Sequence, residues 1–150
     1  MKVLLTGSSK GIGHKIAEDL LAEGHELALH YNKNESPLKA LLKKDKTGSF
    51  SIQADLSQQD EIKKMVINTI DKLSFPDCII NNAGIAESAD ISIDINNWSK
   101  MLDRTIDVNL TAPSIIFKEF LKYKREKKIN SRLRIINIAS RAAFRGEQQD

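Results

Sequence analysis

The sequence predicts a doubly wound α/β domain, in which helices cover both faces of a parallel β-sheet. Five short apolar segments typical of buried strands alternate along the chain with segments whose apolar residues recur three or four positions apart, as on one face of a helix. Segments rich in Gly, Asn or Ser directly follow several of the apolar runs. Alternating strands and helices favour parallel pairing with right-handed crossovers, so we expect a ligand at the carboxyl ends of the strands.

Each element is predicted from its own local pattern. Short apolar runs predict strands at 3–5, 26–31, 50–54, 77–81 and 134–140. Ile12, Ile16 and Leu20 lie four apart and predict a helix over 12–23, which Gly24 ends. Helical spacing of apolar residues predicts a helix that begins at Pro37 and another that follows Ser57, its expected N-cap. A long helix is predicted from Trp98 to roughly Lys124.

The composition is that of an ordinary globular domain. The 150 residues are 41% hydrophobic and 29% charged, enough for one domain with a sizeable core. The net charge of +3 is too small to indicate nucleic acid by itself. The basic stretch 117–134 is interpreted as a solvated helix end, with a binding patch as the alternative. No apolar run approaches the roughly 18 residues that span a membrane. Cys78 lies in an apolar run, which indicates a buried thiol in a reducing compartment, so the cytoplasm is the expected location.

The stretch TGSSKGIG, residues 6–13, follows the first strand and opens the first helix. Its glycines at 7, 11 and 13 fit the pattern TGxxxGxG, whereas GxGxxG counted from Gly11 fails because its third glycine position is Ile16. Gly7 allows a sharp turn, and Gly11 and Gly13 let the backbone approach a pyrophosphate at a helix N-terminus. The alternative is a plain glycine-rich turn between a strand and a helix.

Four other stretches contain polar residues at places where a ligand is expected. They are ADL at 54–56, INNAGIA at 80–86, DVNL at 107–110 and INIAS, which ends in Ser140. Asn109 is of interest because Asn is a poor residue for a helix interior, so a polar task is one interpretation and a satisfied core Asn the other. Asp55 is likewise either a ligand or a solvated loop carboxylate, and the INNAGIA segment could be a simple turn.

Together, in this order and spacing, these five stretches resemble the short-chain dehydrogenase/reductase family. The resemblance covers Val3 to Asp150 and is greatest to the ketoacyl-carrier-protein-reductase-like branch, because the extended branch uses TGxxGxxG instead. It implies a Rossmann-type fold and reversible hydride transfer between a nicotinamide cofactor and a carbonyl or alcohol carbon. The implied substrate is a small molecule, with no nucleic acid, membrane or metal involved, and the implied full-length assembly is a homodimer or homotetramer.

The resemblance also implies a role for each matching residue. The cofactor phosphates would be cradled by Gly7, Ser8, Ser9, Lys10, Gly11, Ile12 and Gly13. Asp55 would bond the adenine amino group, with the Leu56 backbone beside it. The ribose on the nicotinamide side would be lined by Asn82, Ala83 and Gly84.

The residues after the second strand favour NADP over NAD. An acid at that place bonds the ribose 2′-hydroxyl of NAD and repels a 2′-phosphate. Here the strand ends at Tyr31, followed by Asn32 and Lys33, so the acid is missing. Lys10 resembles the basic residue that NADP-preferring relatives have before the second glycine. The alternative is that Lys10 and Lys33 are solvent-facing charges.

For catalysis, the resemblance implies that Ser140 orients the substrate oxygen and that Asn109 holds a water in a proton relay. The proton donor should be a Tyr in a YxxxK motif roughly thirteen residues after Ser140, and neither Tyr31 nor Tyr123 matches it. We therefore expect these 150 residues to be the dinucleotide-binding part of a longer oxidoreductase, without its catalytic and substrate-loop segment. The alternative is a non-catalytic NADP-binding module that acts as a sensor or binds a partner. Arg141, Phe144 and Arg145 face either the cleft or solvent.

Overall fold

The five predicted strands form one parallel sheet in the computed structural model, which describes residues 1–140. The strand order is β3-β2-β1-β4-β5, and each neighbouring pair runs parallel. The strands are β1 Lys2–Leu5, β2 Glu26–Tyr31, β3 Phe50–Gln53, β4 Cys78–Asn81 and β5 Arg134–Asn137. The predicted doubly wound α/β fold is therefore confirmed.

Helices follow the strands at the predicted places. They are α1 Gly11–Ala22, α2 Ser36–Leu42, α3 Gln59–Leu73, α4 Ile95–Ile106 and α5 Ala112–Glu126, with a π-helical turn Asp107–Thr111 between the last two. Within residues 1–140, no helix is long and apolar enough to cross a membrane.

Two helix starts differ from the prediction. Ser57 is not the N-cap of α3, because its hydroxyl donates a hydrogen bond of 2.8 Å to the Asp55 carboxylate and the helix begins two residues later. The fourth helix begins three residues before Trp98, because the Asp94 carboxylate accepts hydrogen bonds from backbone N–H groups of its first turn. Local side-chain bonds therefore decide both starts.

The strands divide their side chains between two hydrophobic layers. Leu4 of β1 belongs to the layer formed with α3 and α5, whereas its neighbours Val3 and Leu5 belong to the layer formed with α1 and α2. Cys78 is buried in the second layer, as predicted, and burial raises the pKa of its thiol. Each central strand is thus covered on both faces, which is why these runs are almost wholly apolar.

The order of the strands reverses next to β1. The chain first builds β2 and β3 on one side of β1 and then crosses to build β4 and β5 on the other. In the register, Leu5 lies beside Ile80, so β1 and β4 end at nearly the same level of the sheet. The loops that leave these two strands therefore meet at the point where open α/β sheets bind ligands.

Truncation of Ile62 to alanine on α3 is expected to lower the free energy of unfolding by about 2–5 kcal/mol, because the side chain is 1% exposed and belongs to the main core layer. Ile67→Ala on the same helix is the matched control, since Ile67 is 57% exposed. Urea unfolding of both variants measures the difference. Similar losses in the two would contradict this assignment of the core.

Candidate functional site

The turn after β1 packs directly against the loop after β4, and two glycines permit this approach. Gly7 has a φ of +67°, and a Cβ placed there would lie 2.8 Å from the Ala83 Cα atom. A Cβ on Gly13 would lie 2.3 Å from both the Asn82 Nδ2 atom and the Gly7 carbonyl oxygen. Any larger residue at either position would separate the two loops.

Hydrogen bonds join the same two loops. The buried Thr6 hydroxyl oxygen accepts the backbone N–H groups of Asn82 and Ala83, both at 3.0 Å. In return, the Asn82 side-chain amide donates to the carbonyl oxygens of Thr6 at 3.0 Å and Gly7 at 3.1 Å. We call this set of four bonds the Thr6–Asn82 joint. Sequence analysis singled out Asn82 but not Thr6, whose partner is 76 residues away.

His30, near the end of β2, supports the turn from the other side. Its ring Nδ1 atom lies 3.0 Å from the Gly7 backbone nitrogen, and its Nε2 atom lies 3.0 Å from the Ala54 carbonyl oxygen. Its own carbonyl oxygen accepts both the backbone N–H and the hydroxyl of Ser8, each at 2.9 Å. Ser8 is fully buried, so its hydroxyl braces the turn against His30 and does not face the cleft described next.

A cleft of about 600 Å³ opens over the turn; we call it the glycine cleft. Most of the predicted cofactor-binding residues line it, namely Gly7, Ser9, Lys10, Gly11, Ile12, Gly13, Asn32, Lys33, Leu56, Asn82, Ala83 and Gly84. The lining of this cleft contains three cationic side chains, Lys10, Lys33 and Arg104. The N-terminus of α1 opens into the same space, so both the helix dipole and the side chains favour a bound anion.

Asp55, predicted to bind adenine, is placed beside the cleft and not in its lining. Its carboxylate accepts the Ser57 backbone N–H at 2.9 Å and hydroxyl at 2.8 Å, and these bonds hold the pKa of the carboxyl below its usual range. Its backbone N–H donates to the Glu61 carboxylate at 2.6 Å. These contacts fix the loop that places Leu56 in the glycine cleft.

A second cleft of about 1070 Å³ adjoins the first; we call it the Ser140 cleft. It brings together the two predicted catalytic residues, Ser140 after β5 and Asn109 in the π-helical turn. The Asn109 amide pairs with both backbone groups of Ile85: its oxygen accepts the N–H at 2.9 Å, and its nitrogen donates to the carbonyl at 2.8 Å. The loop residues 82–85 line both clefts and so form the boundary between them.

Five residues that line the glycine cleft were not predicted from the sequence, among them His30 and Arg104. His30 was read only as part of a strand, and Arg104 only as part of a helix. Arg104 lies one turn before Val108, which lines the same cleft, and this spacing of four residues was the available signal. Arg104 also lies 3.4 Å from the Glu87 carboxylate. Arg141, Phe144 and Arg145 lie outside the described residues.

Comparison with known proteins agrees with the doubly wound α/β fold. A sequence model of the short chain dehydrogenase family matches residues 1–149, and the chain belongs to this family. The 3-oxoacyl-[acyl-carrier-protein] reductase of Synechocystis sp. is 30% identical over 147 residues, covering 95% of this chain and 57% of that relative. The chain thus spans little more than half the length of this relative.

Two solved structures are also similar to nearly the whole of this chain and to little more than half of their own. A blue fluorescent protein from a metagenomic library, in complex with NADPH, has a TM-score of 0.79 and 27% identity over 97% of this chain and 58% of its own. A 4-hydroxyisoleucine dehydrogenase, complexed with NADH, has a TM-score of 0.77 and 27% identity over 99% of this chain and 59% of its own. The family predicted from the sequence motifs is confirmed.

Gly13→Ala is expected to destabilise the protein by about 1–3 kcal/mol, because the added methyl group collides with the Thr6–Asn82 joint. Gly84→Ala is the matched control, since its added Cβ would meet the Asn109 Oδ1 atom at an ordinary 3.5 Å. Urea unfolding compares the two variants. Equal stability of Gly13→Ala and the wild type would show that the loops do not pack as described.

Proposed function

We propose that the protein is an NADP-dependent oxidoreductase that interconverts a carbonyl compound and an alcohol. The main support is the arrangement of the two clefts, which meet at residues 82–85. An extended dinucleotide that places its phosphates on the glycine cleft would reach the Ser140 cleft with its other end. A substrate held by Ser140 would then lie beside the nicotinamide.

The two similar structures contain NADPH in one case and NADH in the other, so they favour neither cofactor. The proposed preference for NADP is therefore supported by the residues of this chain. Lys10 and Lys33 both line the glycine cleft and suit a 2′-phosphate. The first acid after β2 is Glu35, but Lys39 lies 2.7 Å from its carboxylate and the Ser51 hydroxyl donates to it at 2.7 Å. Glu35 is absent from the lining of the cleft, so among residues 1–140 no carboxylate lines it to select the 2′-hydroxyl of NAD.

In the proposed reaction the cofactor, when bound, supplies or accepts the hydride. The Ser140 hydroxyl would donate a hydrogen bond to the substrate oxygen and so orient the carbonyl carbon. Asn109 would fix the loop at Ile85, which it already holds by two bonds, and would hold the relay water that the family resemblance implies.

The same proposal gives residues 1–150 the role of the dinucleotide-binding domain and places the proton donor elsewhere in the protein. The sequence has two tyrosines, and neither lines either cleft. Tyr31 packs on the α1/α2 layer, and burial raises the pKa of its phenol further from neutrality. Tyr123 stacks on Phe75, with 6.5 Å between ring centroids, at the other core layer.

For the substrate we propose a 3-oxoacyl thioester, which is the substrate class in the name of the Synechocystis relative. The Ser140 cleft offers apolar side chains for an acyl chain, among them Leu110, Phe117 and Ile138.

We also propose that the protein forms a homo-oligomer, since α4 exposes Ile95, Trp98 and Leu102 along one stripe.

NADPH is expected to bind more tightly than NADH, and Lys10→Ala and Lys33→Ala should each weaken NADPH binding while leaving NADH binding unchanged. A charge-assisted bond to the 2′-phosphate contributes about 1.5–3 kcal/mol, or roughly ten- to a hundredfold in Kd. Fluorescence titration with both cofactors measures the effect. Lys44→Ala is the control, because Lys44 is exposed and lines neither cleft. Equal wild-type affinities for NADPH and NADH would contradict the preference.

Ser140→Ala is expected to lower kcat for reduction of a 3-oxoacyl thioester by about a hundredfold or more, with an unchanged Kd for NADPH, because it removes a donor to the reacting oxygen. Ser114→Ala is the matched control: Ser114 lines the same cleft, but its hydroxyl donates to the Leu110 carbonyl at 2.9 Å. The protein should be expressed from its natural reading frame. Tight NADPH binding without turnover on any ketone or alcohol would favour the non-catalytic module instead.

A further inference from the structure

The ring of His30 is buried between two backbone groups whose hydrogen-bonding roles are fixed. The side chain belongs to a residue that is 2% exposed. A backbone N–H can only donate and a carbonyl oxygen can only accept, so Nδ1 must accept from Gly7 and Nε2 must carry the proton that it donates to Ala54. Of the three states of imidazole, only the neutral form protonated at Nε2 satisfies both bonds.

We propose that His30 is a positioning residue that holds the glycine-rich turn in its cofactor-binding shape only while its imidazole is neutral, so that protonation of His30 weakens dinucleotide binding. The proposal rests on the proposed function, because it deepens the account of the same cofactor site. It assigns His30 no contact with the reacting atoms.

The contacts of His30 reach two walls of the glycine cleft, the turn after β1 and the segment after β3. The ring fixes Gly7, the main-chain carbonyl fixes Ser8 in the same turn, and the bond to Ala54 fixes the segment that leads into Leu56. A protonated ring would point a second N–H at the Gly7 N–H, so that a donor faces a donor. Gly7 already lies against Ala83, so the turn must change its backbone conformation to relieve the clash.

The charges around His30 set the direction of its titration. Burial lowers the pKa of the imidazole, and the hydrogen bond to the Ala54 carbonyl and the Asp55 carboxylate partly oppose this effect. From the turn, the loop after β2 and α4, the cations Lys10, Lys33 and Arg104 line the cleft that the ring also lines. Because the folded-state pKa is below the unfolded value, the stabilising contribution of neutral His30 is complete above about pH 6.5 and is lost as the pH falls towards the folded pKa.

Two substitutions separate the two ring nitrogens. In His30→Asn the amide oxygen takes about the place of Nδ1 and still accepts from Gly7, but it has no proton to gain. In His30→Gln the amide nitrogen takes about the place of Nε2 and serves Ala54 alone. A merely structural role would make the two variants alike, whereas the positioning role separates them.

Titration of NADPH from pH 7.5 down to the pH at which the ring of His30 is protonated in the folded protein, with protein from the natural reading frame, tests the proposal. At pH 7.5 His30→Asn should bind within about threefold of wild type, and His30→Gln should bind at least about tenfold more weakly. One pH unit below the folded-state pKa of His30, the wild-type Kd should have risen about tenfold more than that of His30→Asn. Comparing the two proteins cancels the titration of the cofactor's own 2′-phosphate, which affects both alike. Equal affinities of the two variants, or one pH profile for wild type and His30→Asn, would overturn the proposal.

A second measurement does not need the cofactor. In the cofactor-free protein, NMR of the ¹⁵N-labelled ring should show a proton on Nε2 and none on Nδ1 at pH 7.5. The Gly7 amide should lose its protection from hydrogen exchange, after correction for intrinsic rates, as His30 protonates. The opposite tautomer, or a Gly7 amide equally protected across the titration, would refute the proposal. If neither NADPH nor NADH binds at any pH, the proposed function fails and this result still decides the role of His30.

Discussion

The site depends on the Thr6–Asn82 joint. Parallel strands β1 and β4 end at nearly the same level, and the turn and loop that leave them would diverge if nothing connected them. Four hydrogen bonds close this gap, and each is worth about 0.5–1.5 kcal/mol when its partners are withdrawn from water. Because the bonds use backbone groups of both loops, they fix the shape of the backbone, against which a cofactor would rest.

The joint also explains why the two clefts are neighbours. Asn82 is held towards the turn, so the residues that follow it run along the border between the glycine cleft and the Ser140 cleft. Asn109 then fixes the end of this border through Ile85, from a π-helical turn that interrupts the long helix. Such turns occur often at functional sites, where they redirect one side chain without ending the helix. The glycine cleft and the Ser140 cleft are therefore parts of one connected backbone arrangement.

Sequence reasoning succeeded where the signal was local. Apolar runs marked all five strands, and the spacing of Gly7, Gly11 and Gly13 marked the turn, because each feature lies within a few residues of its cause. It missed Thr6 and His30, since their hydrogen-bond partners become neighbours only when distant strands pair in the sheet. The predicted N-cap of α3 was wrong for a different, local reason: the Ser57 hydroxyl donates to the Asp55 carboxylate two residues earlier. The hydrogen-bond partners of Thr6 and His30, in contrast, are decided by tertiary packing.

A crystal structure of the protein grown with NADPH tests the central claim most directly, because the claim is about place. The account predicts the pyrophosphate at the N-terminus of α1 over Gly11 and Gly13, and the 2′-phosphate between Lys10 and Lys33. It also predicts the nicotinamide at the border of the two clefts, near Ser140, with the Thr6–Asn82 joint intact. A cofactor bound away from the glycine cleft, or a joint that opens when the cofactor binds, would contradict it.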